Sequence, residues 1–560
     1  MKIRFILGCM MLASCLVVPV NGMARSASEG RVIEMRADRV VIYPQRMDLK
    51  GDESLGDILA MYPDLMQTGF DDMLQNYNLR IDNVAVNGNN RIVCRQLKAS
   101  MIKSIQICDN TAVAKGTTGL NRVIDITLAR GVRSQDGSYD ASLGQAFQGR
   151  TGVEAGSDHL ADHHAVLRYD GAKTDVIGIS SYQYQDMDDV ISHRQNLFAH
   201  MTNYFSPKDR LLTYVTQQYL NNRYDYPVVG KQKTQNEKFL ARARYFHKFN
   251  DQGTELLLVG SYQYTNDINK EKASAKNDAT LFIVELNTPL TSHLTMMVGW
   301  EGDFSSATRY VASNNDLYLQ FNYIVGPLRL TVGDRVMFYH YGTNAVTEDP
   351  AHDAGIMRAD GRESYNETRN NLEVSAVASL SPTQQLQAAY HRKFINPGYS
   401  VTKELSYEEW EAIRDGLEAQ YIDETKLGYT FSQSNFTLSL AAYYQMMERA
   451  ENRTKLSASA FYRLGNLALT AGVNFVGIKG EGYDYATFHF SPRLTLPYQM
   501  QFNVQSIFAA GDKKLAGDDH VYLSGQLCKQ LGKHWNFAVE WHDICSSHYS
   551  ACLETVQYVF

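Results

Sequence analysis

The feature that most constrains this chain is a two-residue alternation of apolar and polar side chains that recurs from about Ser138 to the C-terminus. Because successive side chains of a strand point to opposite faces of a sheet, each alternating segment predicts a strand with one apolar face. The predicted apolar faces include Leu317, Leu319, Phe321 and Tyr323; Phe436, Leu438, Leu440 and Ala442; Leu467, Leu469, Ala471, Val473 and Phe475; and Trp535, Phe537, Val539 and Trp541.

The connections between these segments show a second regularity, because short turns alternate with longer polar connections. The short turns lie at Gly171 to Lys173, Ser206 to Asp209, Asn250 to Gly253, Val325 to Pro327, Ser381 to Thr383, Gly465 to Asn466, Leu496 to Pro497 and Gly532 to Lys533. The longest connections are Tyr341 to Glu363 and Asn396 to Gly416. Short turns at one end and long loops at the other are typical of outer-membrane barrels. The count predicts an antiparallel barrel of about 22 strands, a size whose lumen holds a plug.

Composition and the C-terminus favour this barrel over a soluble all-β protein. The 35 tyrosines suit the two membrane interfaces, where the ring lies in lipid and the hydroxyl among headgroups. A soluble sandwich has no reason to sort its loops by length and would divide into domains of about 100 residues. The last segment places Val556, Tyr558 and Phe560 on one face, which we expect to contact lipid.

The first residues predict an export signal, which we assign to residues 1–24. Lys2 and Arg4 precede an apolar run from Phe5 to Val20, and Gly22 to Ala24 supply small residues for cleavage. A lipoprotein-type cleavage box at Leu12 to Cys15 is the alternative, although the apolar run continues past that cysteine. The chain is therefore expected in the outer membrane of a Gram-negative-type bacterium, with membrane lipid as its surroundings.

Charge and cysteine content exclude several classes of function. The net charge of −7 argues against a nucleic-acid partner. Five cysteines remain after the signal, namely Cys94, Cys108, Cys528, Cys545 and Cys552, and this odd number leaves at least one thiol outside any internal pairing. The pairs Cys94–Cys108 and Cys545–Cys552 are possible in an oxidising compartment, but sequence does not fix them. The absence of a CxxC motif gives no support to a zinc or redox site.

Residues 25–136 have a different pattern and predict a small α+β domain ahead of a barrel that spans residues 137–560. Short strands are expected at Val40 to Tyr43, Ile102 to Ile107 and Val123 to Leu128, with a paired strand and turn over Arg80 to Gly88. One helix should start near Asp52, with its apolar face formed by Leu55, Ile58, Leu59 and Tyr62 and its end set by Pro63. A second helix is expected from Leu97 to Met101.

The order of these pieces resembles the plug domain of TonB-dependent outer-membrane receptors. The matching residues are Ser54, Asp57, Leu59 and Pro63; Asp82, Asn83 and Val84; Ile102, Ile105 and Ile107; and Gly116, Gly119, Val123, Ile124, Asp125 and Ile126. In the barrel, Glu424 to Tyr429 with Ala442 to Tyr444, and Tyr390 to Phe394 with Pro397, resemble segments of the same family. The chain departs from the family pattern at Cys108 to Asn110 and at Asn121-Arg122.

The resemblance implies import of a scarce solute, such as an iron chelate, a vitamin or a glycan fragment, driven by an inner-membrane protein of the TonB type. Such a partner acts through a flexible strand ahead of the plug, for which Arg31 to Met35 is the candidate. The solute would be captured by the loops Tyr341 to Glu363 and Asn396 to Gly416 and by the outward face of the plug, with a surface lipoprotein as a further partner. The other interpretation of the two loops is that they are ordinary hydrophilic surface loops. The alternative is a structural or binding barrel of the envelope whose plug is not coupled to TonB.

No catalytic, cofactor or metal site is predicted. The chain has no Gly-x-Ser-x-Gly elbow, P-loop or His-Glu-x-x-His motif, so we do not expect an enzyme or a cofactor. Asp158, His159, Asp162, His163 and His164 form a polar cluster that we interpret as a solvated hairpin loop rather than a metal site. The run Tyr407 to Ile413 is interpreted as a short surface helix within a loop.

Overall fold

The structure of the chain is a computed structural model. The structure describes residues 32–36, 39–47, 53–59, 77–81, 84–85, 93–94, 97–108, 122–129, 134–147, 158–187, 190–226, 230–269, 275–307, 310–343, 364–395, 420–433, 435–447, 452–478, 483–511, 520–532, 534–542 and 550–559. Within these ranges the chain forms two sheets, one small and mixed, the other closed on itself.

The closed sheet is an antiparallel barrel of 22 strands, which confirms the predicted fold class and strand number. Its strands are β7 (Ser134–Phe147), β8 (Asp158–Asp170), β9 (Thr174–Met187), β10 (Val190–Tyr204), β11 (Asp209–Tyr226), β12 (Gly230–Lys248), β13 (Glu255–Asn269), β14 (Ala275–Pro289), β15 (Leu294–Ala307), β16 (Tyr310–Val325), β17 (Leu328–Thr343), β18 (Ser364–Ser381), β19 (Gln384–Ile395), β20 (Gln420–Ser432), β21 (Phe436–Met447), β22 (Arg453–Leu464), β23 (Leu467–Ile478), β24 (Tyr483–Leu496), β25 (Met500–Gly511), β26 (His520–Leu531), β27 (Trp535–His542) and β28 (Ser550–Val559). Neighbours in sequence are neighbours in the sheet, and β28 pairs with β7 to complete the circle.

The faces of the strands agree with the alternation in the sequence. On β16, Leu317 is 54% exposed on the outer surface, whereas the adjacent Tyr318 is 3% exposed and points into the lumen. The segments predicted around Phe436, Leu467 and Trp535 likewise turn their apolar faces outward. In the last strand Val556 and Tyr558 are outward and exposed, while Phe560 lies outside the described residues. Exposed apolar side chains on this scale, all on the outer surface of a closed sheet, indicate contact with lipid.

The predicted short turns all lie at one end of the barrel. Those after β16, β22 and β24 occupy residues 326–327, 465–466 and 497–499, and Gly465 has a φ of 57°, which glycine adopts without strain. At the opposite end the predicted sorting is incomplete, because 188–189 and 308–309 are as short as the turns. The strands on either side of these two connections are 14–16 residues long. About 9–11 residues are enough to cross a bilayer, so the polar residues at this end extend the strands beyond that length instead of forming long loops.

The small sheet is the predicted N-terminal α+β unit. It contains β1 (Ile33–Met35), β2 (Val40–Ile42), β3 (Tyr77–Ile81), β4 (Val84–Ala85), β5 (Ile102–Cys108) and β6 (Arg122–Leu128), in the order β1-β2-β5-β6-β3-β4. Helix α1 (Leu55–Leu59) and two 3-10 turns, Pro44–Arg46 and Ala99–Met101, accompany it. Leu55, Ile58 and Leu59 are completely buried, as their spacing predicts. The predicted helix from Leu97 to Met101 is only a 3-10 turn because Ile102 already begins β5.

Charged groups inside the barrel wall are paired with one another. Arg335 on β17 is 1% exposed and bonds Asp316 on β16 at 2.6 Å and Glu301 on β15 at 2.5 Å. The Tyr318 hydroxyl donates to Glu285 at 2.9 Å and its ring lies over Gly299, where a side chain would collide with it. These contacts join β14 to β17 on the lumen side, because a buried charge is tolerated only with partners.

The cysteines do not form the disulfides considered from the sequence. Cys94 is buried and carries a free thiol, so the Cys94–Cys108 pairing is absent, and burial raises the pKa of the Cys94 thiol. Cys552 is also free and lies on the outer surface, while Cys545 lies outside the described residues. No helix within the described ranges is long and apolar enough to span a bilayer.

We predict that a charge on the outer surface destabilises the barrel according to its depth. Leu317→Arg, near the middle of β16, should lower the free energy of unfolding by about 2–4 kcal/mol because the guanidinium faces hydrocarbon. Leu464→Arg is the matched control, since Leu464 is also exposed but ends its strand at a short turn, where the cost is about 0–1 kcal/mol. Denaturant unfolding in lipid vesicles measures both, and equal effects would contradict the assignment of the lipid-facing surface.

Candidate functional site at the interface between plug and barrel

The small sheet lies inside the barrel, where its apolar core continues into one side of the wall. We call the small sheet and its helix the plug. One buried apolar cluster joins plug residues such as Ile81, Ile124 and Ile126 to the wall. The wall residues of this cluster are Val166, Ile177, Ile179, Phe198, Tyr214 and Leu240 on β8–β12, with Phe461 on β22. We call β8–β12 the apolar wall. Separating the plug from this wall would expose the apolar side chains of both to water.

The plug meets β17, β19 and β20 in a different way, through hydrogen bonds of its edge strand. The Ile33 amide donates to Ser432 Oγ at 3.2 Å, and the Met35 amide donates to Gln385 Oε1 at 2.8 Å. Gln387 Nε2 donates to the carbonyl of Arg36 at 3.0 Å. Side chains of the barrel therefore satisfy the outer edge of β1, in place of a neighbouring strand. We call this side, formed by β17, β19 and β20, the polar wall.

A glycine on the polar wall allows β1 to approach it. A Cβ atom at Gly428 on β20 would lie 3.0 Å from Met35 Cε, closer than most real contacts. Met35 is 2% exposed and fills the space that a side chain at position 428 would occupy. The close approach places the Met35 amide within reach of Gln385 on the neighbouring strand.

Glu34 is the charged centre of this contact. Its carboxylate pairs with Arg329 of β17, accepts a hydrogen bond from the Tyr43 hydroxyl at 2.8 Å and lies 3.4 Å from Arg36 Nη2. Burial raises the pKa of Glu34, but the positive charges of Arg36 and Arg329 and the Tyr43 hydrogen bond outweigh it and lower that pKa below its usual value. The carboxylate is therefore ionised at neutral pH and holds plug and wall together.

Two further polar contacts fasten the plug, one of them to β8 of the apolar wall. Arg168 Nη2 on β8 donates to the Ala129 carbonyl at 3.1 Å, just after β6 ends. Arg463 on β22 lies 4.0 Å from the Glu53 carboxylate, which precedes helix α1. Both lie toward the short-turn end of their strands, so the plug is held at several points around this rim.

The segment predicted to couple to an energy-transducing partner is Arg31 to Met35. In the structure, its residues Ile33–Met35 form strand β1 of the plug. Ile33–Met35 pairs with β2 on one edge and bonds the polar wall on the other. Strand addition needs a free edge, so the prediction that this strand is flexible is wrong for the arrangement described here. Arg31 and the residues before it lie outside the described residues.

The histidine cluster is not on a hairpin loop, as the sequence suggested, but within strand β8. His163 points outward and bonds the Tyr139 hydroxyl at 2.9 Å, whereas His164 is buried in the lumen. Adjacent residues of a strand face opposite sides, so these two imidazoles cannot share a ligand. Among the described residues, no group of three or more His, Cys, Asp or Glu side chains is placed to hold a metal ion.

The predicted capture loops and the short surface helix lie outside the described residues, apart from Tyr341–Thr343 and the strand ends that flank them. Sequence reasoning also missed Glu34, Arg329, Gln385 and Ser432 as contact residues. A single signal was available, namely the charged Glu34 inside the apolar run from Val32 to Met35. A charge at such a position indicates a buried partner but does not identify it.

We predict that Glu34→Gln loosens β1 selectively. The amide cannot form the ion pairs, so the stability of this contact should fall by about 2 kcal/mol. Exchange of the Ile33 and Met35 amides with deuterium should accelerate about thirtyfold, while β6 amides such as Ile124 change little. Asp251→Asn, in an exposed turn, is the control, and unchanged exchange in the Glu34 variant would show that the carboxylate does not hold the strand.

The same contact should respond to acid. Because the pKa of Glu34 is lowered in the folded chain, its contribution is complete above the ordinary carboxyl pKa of about 4.3 and is lost as pH falls through the lower folded value. Protection of the Ile33 and Met35 amides, corrected for intrinsic exchange rates, should therefore decline in that acidic range. The Glu34→Gln variant should lack this dependence; if it retains the decline, another group is responsible.

Comparisons with known proteins identify the fold. No protein-family model matches the chain, and no curated protein matches it in sequence. Among solved structures, the siderophore receptor PirA from Pseudomonas aeruginosa is 12% identical with a TM-score of 0.65, covering 94% of this chain and 100% of that one. The alcaligin outer-membrane receptor FauA from Bordetella pertussis is 13% identical with a TM-score of 0.64, covering 94% and 95%.

The ferric-catecholate import receptor Fiu from Escherichia coli K12 is 10% identical with a TM-score of 0.64, and the match covers 95% of this chain and 97% of that one. These matches span both the plug and the barrel. The resemblance predicted from the sequence motifs is thereby confirmed at the level of structure. The chain has the plugged-barrel fold of TonB-dependent outer-membrane receptors.

Proposed function

We propose that the chain is an outer-membrane importer that moves a scarce solute past its plug with energy from a TonB-type partner. The observation that carries the proposal is a folded plug fastened inside a closed 22-stranded barrel. Without a plug, a barrel of this size encloses an aqueous channel. A plug held by an apolar cluster and by ion pairs keeps that channel closed until a force from the TonB-type partner displaces the plug.

An inner-membrane partner fits this arrangement, since the outer membrane has no nucleotide supply. A pull on the chain ahead of Ile33 would act first on β1, because β1 is the first strand of the plug. In this proposal residues 1–24 are the export signal, residues 25–136 the plug domain and residues 137–560 the barrel. No catalytic group takes part, because the work is mechanical.

A ferric siderophore is the solute class we propose. The similar structures described above are receptors named for siderophores or ferric catecholates. In this chain, Arg369 of β18 and Arg392 of β19 lie 5.0 Å and 5.2 Å from the ring centre of Tyr421 on β20, toward the strand ends from which the longest connections, β17–β18 and β19–β20, extend. Arg392 also bonds the Asp423 carboxylate at 2.7 Å. Cationic groups stacked on an aromatic ring offer both charge and a flat surface to an anionic aromatic chelate.

Radioiron uptake tests the proposal. A strain lacking this gene, its complemented parent and a strain lacking TonB are grown under iron limitation and given iron-55 bound to catecholate, hydroxamate or carboxylate siderophores. We expect at least one chelate whose uptake falls about tenfold or more in both deletions and returns on complementation. Loss only in the receptor deletion would contradict coupling to TonB. Normal uptake of every chelate in both strains would favour a structural barrel of the envelope.

A further inference from the structure

We propose that the passage for the solute opens on one side of the plug only, between strand β1 and the polar wall formed by β17, β19 and β20. This inference rests on the proposed import function and locates its route. The plug has two kinds of contact with the barrel, and the two differ in how easily water can replace them.

On the apolar wall, separation would expose hydrocarbon on both surfaces. Ile177, Ile179 and Phe198 are at most 2% exposed and belong to the same cluster as the plug core. Moving the plug away from these strands would open that core to water, which opposes separation in proportion to the area exposed. The plug should therefore stay attached to β8–β12 while it still has a folded core.

On the polar wall, every hydrogen bond of β1 has a direct replacement in water. The amides of Ile33 and Met35 and the carbonyl of Arg36 would be hydrated, and Ser432, Gln385 and Gln387 would become hydrated wall groups. Exchanging a hydrogen bond between protein groups for one to water costs little compared with exposing an apolar core. The Glu34–Arg329 pair would separate into two hydrated charges.

The wall surface uncovered in this way carries mainly hydrophilic side chains, although separation also exposes the apolar side chains of Met35 and Ala389. Lumen-facing residues along β17, β19 and β20 include Thr331, Gln385, Gln387, Thr430 and Ser432, all at most 3% exposed while the plug is in place. Gly428 adds a stretch of wall without a side chain once Met35 withdraws. Hydroxyl and amide groups exchange hydrogen bonds readily with a polar solute, and Arg329 places a positive charge at the short-turn end. The route thus suits a hydrophilic, neutral or anionic solute.

Cysteine accessibility in living cells tests the route. Gln387→Cys on β19 and Ile177→Cys on β9 place thiols on the two walls at the same distance along their strands from the short turns, and both native side chains are 2% exposed. A maleimide that cannot cross membranes is added to intact, iron-limited cells with and without TonB. Native cysteines set the background in the parent chain, and heat-modifiable gel mobility confirms that each barrel is folded.

We expect labelling at position 387 to rise about fivefold or more in cells with TonB, while position 177 stays at background in both strains. Equal labelling of the two walls, a rise at position 177, or no rise at position 387 would overturn the inference. Ala389→Cys and Ile179→Cys, each the sixth residue of its strand and at most 5% exposed, repeat the comparison if a first variant does not fold. Radioiron uptake by the same cells reports the import function separately, so TonB-dependent uptake with labelling on the wrong wall rejects the route alone.

Discussion

Closure of the sheet is the constraint on which the rest of this structure depends. In hydrocarbon, each backbone amide and carbonyl must find its partner within the protein, so a spanning sheet has no tolerable edge. The pairing of β28 with β7 removes that edge, and it requires outward apolar faces on every strand. It also creates a lumen too wide for wall side chains to fill at this strand number. The plug is the consequence of closure at this size, because a shut barrel needs a second folded unit inside it.

The plug meets a barrel interior that is not uniform. Apolar side chains on β8–β12 give the plug a core that it could not complete alone, since a sheet of short strands with one short helix encloses little volume. Hydrogen-bonding side chains on β17, β19 and β20 receive an edge strand, and Met35 against Gly428 is the apolar contact on this side that the structure places closest to the wall. The apolar wall therefore stabilises the plug, whereas the polar wall is the side from which the plug can separate. A plug surrounded entirely by apolar wall would close the channel but resist any later opening.

The sequence predicts most of the barrel because the bilayer imposes a simple rule on each strand. Leu317 and Tyr318 alternate outward and inward since one face meets lipid and the other the lumen. The rule fails where polar residues occur on both faces of a strand. Around His163 polar residues fall on both faces, so no clear period of two marks the strand and the sequence predicts a loop there instead. The buried helical face of Leu55, Ile58 and Leu59 is predictable for the same reason as the barrel strands. When one side of an element is buried, apolar residues recur in the sequence with the period of that element.

The contacts of β1 could not be predicted, for a different physical reason. Ile33 and Ser432 are 399 positions apart, and Met35 and Gln385 are 350 apart, so only the register of the closed barrel around the plug brings them together.

The contacts between β1 and the barrel are made by side chains of the barrel and not by backbone pairing between strands. If β1 paired with a barrel strand through its backbone, plug and barrel would form one continuous ladder, and opening would require several bonds to break together. Side chains that reach across to single amides satisfy the same edge without joining the two sheets. The plug therefore stays a separate unit inside a barrel from which it can be displaced.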